Sequence, residues 1–325
     1  MSIGRLQPVI IILSAVAGTC LGAVVPWGGW SSLIEIFLML MLYVLFLSVD
    51  LRAIAKSFSN VRFTTAALCL NFVFTPIVAW MLGVAFFPDS PQLAMGIMML
   101  LVTPCTDWYL VFTGISRGNV ELGISILPLN LILQVLLLPV YLMLFMGSRV
   151  DIDAASMIAD VTVVLIVPFA TSVVTKVLLG KRKAFERTVS ERGDDAQVLF
   201  LCLAVLVMFA SEGRALLDNL SLLLTVFVPL VIFFVLLLVV SQGVGRALRF
   251  PYADRTALTF TSLARNSPLS LAIAVAAFPD QPLVTLTLVI GPLIELPVLT
   301  MVSHLLLREA PDAEPNIRCP RSRPR

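Results

Sequence analysis

Residues 93–116 read LAMGIMMLLVTPCTDWYLVFTGIS. An apolar run enters Thr103-Pro104-Cys105-Thr106-Asp107, and a second apolar run leaves it. Proline removes a backbone donor and clashes with the preceding turn, so a helix cannot pass smoothly through Pro104. In lipid the freed carbonyls need new partners, and irregular backbone persists only where protein or a wet cavity covers it. Similar punctuation recurs at Arg265-Asn266-Ser267-Pro268, inside the apolar stretch 256–277. Two polar breaks at depth point to an all-α polytopic membrane protein built around an interior site.

The composition demands lipid as the main solvent. Of 325 residues 59% are hydrophobic and 13% charged, and the mean hydropathy is +1.01. A soluble domain carries roughly 45–50% apolar and about 25% charged residues. The apolar runs are continuous over about 20 residues, which reads as helices rather than alternating barrel strands. Expected spans are 6–26, 30–49, 63–87, 93–116, 120–146, 155–179, 197–217, 220–245, 256–277 and 283–306. The segment Met1 to Ala23 imitates a signal peptide and is read as an uncleaved first span.

Charge placement tests that count. Nineteen of the 22 Lys and Arg residues fall in one alternate set of connecting segments. The other set holds only Arg149 and Arg214, and Arg265 lies inside a span. The positive-inside rule then puts both termini in the cytoplasm, at an inner (plasma) membrane, and requires an even number of spans. Residues 308–325, rich in Pro and Arg, read as a disordered cytoplasmic tail.

Ten spans divide into two inverted five-helix repeats, 1–150 and 151–307. Pro104 is followed 24 residues later by Pro128-Leu129, and Pro268 is followed 24 residues later by Pro292-Leu293. Broken helices four and nine should cross near the bilayer midplane, as corresponding breaks in inverted halves do in transporters.

Candidate site residues cluster at these breaks. Cys105 is the only one of five cysteines beside a break. Asp107 and Arg265 lie three residues after and before their prolines, so they could meet as a pair, either locking the crossover or contacting substrate. Thr106, Asn266 and Ser267 share the breaks, and Asn130 follows Pro128 toward the same interior. Glu295, in Gly291-Pro292-Leu293-Ile294-Glu295-Leu296-Pro297, is a carboxyl group at depth that can exchange a proton, or a packing residue. No HExxH, GxSxG or phosphate-cradling loop occurs, so an enzyme is not expected. Neither a cofactor nor a nucleic-acid signature is present, and a non-transport receptor or scaffold is a third class beside the transporter readings.

These residues resemble the arsenite-efflux permeases of the bile acid/sodium symporter superfamily. Pro104-Cys105-Thr106 with Arg117-Gly118 is similar to that family's cysteine-bearing fourth helix, and 270–276 and 291–299 are similar to its ninth and tenth. The resemblance runs from about residue 8 to 307 and implies a panel and a core domain, with helices four and nine crossing. It also implies export of arsenite or antimonite, with Cys105 a transient arsenic(III) ligand and Glu295 the ion-coupling group. The departures are Asp107, where the permeases look small and uncharged, and Arg265, near their paired asparagines. Tyr109, Leu110, Gly123, Leu127 and Thr261 stand where the sodium-coupled branch resembles a cation site, and they are poor sodium ligands. Proton antiport of arsenite is therefore the expected activity, with protons and a small metalloid as partners. The alternative is an organic-anion carrier whose Arg265 binds a carboxylate or sulfonate.

Overall fold

Large apolar side chains cover the outside of this molecule, and polar side chains are buried inside it beside an apolar core. The computed structural model describes residues 7–24, 31–48, 60–106, 108–147, 154–180, 183–218, 220–278 and 280–310. Leu144, Leu224 and Met301 are 71%, 72% and 71% exposed, whereas Asn71, Asn130, Thr261 and Ser262 are at most 1% exposed. That distribution suits a hydrocarbon surround.

The described residues form helices α1 (Gln7–Val24), α2 (Ser31–Ser48), α3 (Val61–Phe86), α4 (Pro91–Val102), α5 (Trp108–Ile115) and α6 (Val120–Met146). They continue as α7 (Ala154–Leu179), α8 (Lys183–Asp218), α9 (Leu220–Ala247), α10 (Tyr252–Leu263), α11 (Ser267–Ala277) and α12 (Pro282–Glu309). A helix occupies each of the expected spans. Four stretches, Val61–Phe86, Val120–Met146, Leu224–Ala247 and Pro282–Glu309, are long and apolar enough on their own to cross a membrane. Among the described residues, only Pro104 and Pro268 stand at breaks within an expected span. Pro128, Pro139, Pro168, Pro229, Pro292 and Pro297 lie inside continuous helices.

Why some prolines are absorbed is visible at Pro76. The ring denies a donor to the carbonyl of Phe72, four residues back. Helix α3 widens into a π turn over Leu70–Phe74, and the Phe72 carbonyl accepts the Tyr141 hydroxyl at 2.6 Å. A neighbouring helix thus supplies the missing donor and the helix continues.

One boundary differs from expectation. Helix α8 begins at Lys183, well before the expected span start at 197, because Lys, Ala, Glu and Arg are good helix formers whether or not lipid surrounds them. Hydropathy marks where the bilayer lies, not where a helix starts.

Helices α1, α2, α7 and α8 pack together in the order α1 on α8, α8 on α2 and α2 on α7. Gly18 and Gly22 face α8 so closely that a Cβ at either would collide with the Leu206 or Ala210 carbonyl oxygen, the small-residue contact common between membrane helices. The remaining helices form a second group, in which α4 packs on α12 around Gly96 against Thr287 and Gly291 against Leu100. The groups meet where α11 lies on α2 and α7.

Gly22→Leu should lower the melting temperature of the purified protein by the equivalent of about 1–3 kcal/mol of overpacking. Gly243→Leu, where an added Cβ meets nothing within 4 Å, should leave it unchanged. Equal shifts in the two variants would refute the close approach of α1 and α8.

Candidate functional site

The two breaks are joined to each other through their backbones. Pro104 and Arg265 face one another in an antiparallel bridge. The Cys105 N–H donates to the Ala264 carbonyl at 2.9 Å, and the Asn266 N–H donates to the Thr103 carbonyl at 2.7 Å. Pro104 occupies a position of this pairing whose N–H the bridge does not use, so its missing donor costs nothing. The opposite N–H, on Arg265, is free and donates to Oε1 of Glu295 at 2.8 Å.

Each broken helix exposes carbonyls at its C-terminal end, and the ninth span serves both. Thr103 Oγ1 reaches the Met99 and Leu100 carbonyls of α4 at 3.1 and 3.3 Å and shares a hydrogen with Ser270 Oγ at 2.8 Å. Ser270 Oγ in turn lies 2.8 Å from the Met99 carbonyl. Arg265 Nη1 donates to the Leu101 carbonyl at 2.9 Å and Nε to Leu263 at 3.2 Å, clamping the ends of α4 and α10 together.

Arg265 is 2% exposed, and this clamp explains how its charge is tolerated. Each helix C-terminus carries about half a negative elementary charge, and the guanidinium touches two. Its carbon also lies 5.1 Å from the ring centroid of Phe233, a favourable cation–π distance. The expected partner Asp107 lies outside the described residues. Arg265 is accommodated by backbone dipoles and an aromatic face among those that are described.

Two cavities of about 40 Å³ each open on this crossing, each with room for about three water-sized groups. Arg265, Trp108, Pro268 and Leu201 line both. Ser267 and Glu295 complete the polar lining of the first, while Cys105, Thr106, Asn266 and Gln197 line the second. Helices α1, α2 and α8 close the far side with Ala15, Met41 and Leu201. The cavities therefore lie along the seam between the two helix groups.

The structure thus brings Cys105, Thr106, Arg265, Asn266, Ser267 and Glu295 together. Asn130 stands apart from both cavities: its Nδ2 donates to Thr261 Oγ1 at 3.2 Å, one turn before the break. Trp108, Gln197 and the Thr103–Ser270 latch were not singled out in the sequence. Gln197 sits at an expected span end, and no spacing rule pairs Thr103 with a serine so distant along the chain.

The profile of the Sodium Bile acid symporter family matches residues 35–219, more than half of the chain. The arsenical-resistance protein Acr3 of Corynebacterium glutamicum is 24% identical over 95% of this chain and 90% of its own length. Acr3 of Alkaliphilus metalliredigens is 21% identical over 83% and 80%, and the uncharacterized YbaS of Bacillus subtilis is 24% identical over 81% and 84%.

If the latch at the crossing is direct, Thr103→Val and Ser270→Ala should be non-additive in thermal stability. A double-mutant cycle should return a coupling of about 0.5–3 kcal/mol. Simple additivity would mean the two hydroxyls do not share a bond.

Proposed function

The chain belongs to the Sodium Bile acid symporter family, a family of multi-pass membrane transporters, and we propose that within it this protein exports arsenite by proton antiport. The observation that carries this reading is the placing of a thiol and a carboxyl group in adjoining small cavities at one helix crossing. The similarity to two Acr3 proteins supports the same substrate.

Arsenic(III) is thiophilic, and Cys105 offers one soft ligand. The thiol and arsenous acid exchange without redox change: an S–As bond forms, one As–O bond breaks, and the leaving hydroxide departs as water with the thiol proton. A single thiol holds the metalloid reversibly, whereas three would hold it too tightly to release. Glu295, bonded to the Arg265 N–H, carries the exchanged proton. Arsenous acid is mostly neutral at pH 7, so membrane potential alone cannot expel it, and the proton gradient supplies the force. Antimonite, with the same hydroxide chemistry, is a second substrate.

The architecture follows the same reading: ten spans in two inverted repeats, 1–150 and 151–307, in an inner membrane with both termini cytoplasmic. Cys105, Thr106, Asp107, Arg265, Asn266 and Ser267 are the proposed substrate-facing residues, and Asn130, apart from both cavities, is a positioning residue that acts through Thr261. Proton rather than sodium coupling is supported by a filled space. The Tyr109 hydroxyl donates to the Gly123 carbonyl at 2.8 Å, and a Cβ on Gly123 would lie 2.8 Å from Leu110. The small cavity volume favours a metalloid hydroxide over the larger organic anion.

Uptake by everted vesicles tests the assignment. Cys105→Ser should abolish arsenite accumulation, and full retention would sink the thiol role. Glu295→Gln should abolish pH-driven movement while leaving substrate binding largely intact, because Gln keeps the shape but cannot ionise; undiminished proton-driven transport would reduce Glu295 to packing. Replacing sodium with potassium should leave the rate unchanged, and a sodium requirement would overturn proton coupling.

A further inference from the structure

Three consecutive side chains at the ninth-span break each keep one polar atom buried and without a partner among the described residues. They are Nη2 of Arg265, Nδ2 of Asn266 and Oγ of Ser267. None of the three residues is more than 5% exposed. A buried donor left unmade is costly, and here three stand in succession on residues that line the cavities.

The rest of each residue is already committed. Arg265 is pinned through Nε and Nη1 to two carbonyls. Asn266 caps α11 by accepting the Leu269 N–H on Oδ1 at 3.2 Å, which turns its Nδ2 away from the helix end. Ser267 opens on the cavity with Glu295, Asn266 on the cavity with Cys105, and Arg265 on both. All three unpaired atoms can donate. Their natural complement is a small ligand presenting several oxygens.

We propose that Arg265, Asn266 and Ser267 form an oxygen-reading row that selects inorganic hydroxides and oxyacids over alkylated analogues of the same element. This rests on the arsenic(III) reading above and sharpens it. After exchange with the Cys105 thiol, arsenous acid keeps two hydroxyl groups, whereas methylarsonous acid keeps one. The methyl analogue binds sulfur equally well but leaves a buried donor unanswered. Sites that hydrogen-bond a substrate hydroxyl reject the analogue lacking it by large factors, up to roughly 10⁴–10⁵.

Two gentle variants separate recognition from folding. Asn266→Asp keeps the Oδ1 cap on Leu269 and exchanges the outward donor for an acceptor that carries a negative charge when ionised, whereas Ser267→Ala removes a single oxygen and changes no charge. Initial uptake rates in everted vesicles should favour arsenite over methylarsonous acid by at least about tenfold in the unaltered protein. Each variant should lose about tenfold in kcat/KM for arsenite and little for methylarsonous acid, so that the ratio collapses toward one. A parallel loss for both substrates, or an unchanged ratio, would overturn the row and leave the arsenite assignment standing. If vesicles accumulate no arsenic at all, the arsenite assignment fails and the row is judged separately with the purified protein. Thermal stabilisation by inorganic phosphate or sulfate that weakens in Ser267→Ala, which changes no charge, upholds it; no stabilisation by either overturns it.

Discussion

Inside lipid a backbone carbonyl without a donor has nowhere to turn, and the pairing of residues 103–105 with 264–266 answers that constraint for two helices at once. Everything notable at the centre of the molecule follows from it. The bridge fixes the crossing of the fourth and ninth spans. It leaves the Arg265 N–H pointing away from Pro104, where Glu295 accepts it. It also ends α4 and α10 against a common guanidinium. Glu295 lies 30 residues after Arg265; the same distance after Pro104, its partner in the bridge, stands Gln134, and a carboxyl group there would find no N–H on a proline.

Arg265 divides its guanidinium unevenly. Two of its nitrogens hold the backbone and the third keeps no hydrogen-bond partner among the described residues. Such division suits the planar fork of a guanidinium and would not survive replacement by the single point charge of lysine. The thiol, the carboxyl group and the donors thereby occupy fixed positions relative to one another, which is what preorganised recognition requires.

Much of this was legible in the sequence, for physical reasons. Prolines embedded in Cys, Thr, Arg, Asn and Ser mark breaks because polar groups at depth are costly without a use. Prolines in purely apolar settings, such as Pro139 and Pro229, mark none. Cys105, Arg265 and Glu295 could be singled out because each is chemically out of place. Gln197 and Trp108 could not, because a glutamine at a span end and a tryptophan in a membrane helix are ordinary. The Thr103–Ser270 latch depends on long-range register, which a single chain does not spell out. The helical extension of α8 was missed because hydropathy is silent about polar helices.

That extension has a mechanical consequence. The apolar stretch of α8 covers Asp195–Ser211, yet the helix starts at Lys183, adding roughly 18 Å of stiff rod at 1.5 Å per residue. The same rod carries Val205 and Phe209 into the wall of the first cavity, Gln197 into that of the second and Leu201 into both. Its polar length and the turn that carries Leu201 belong to one unbroken helix, so a displacement at the charged end is passed along a continuous hydrogen-bonded rod. Force applied far from the crossing therefore reaches it without any intervening joint.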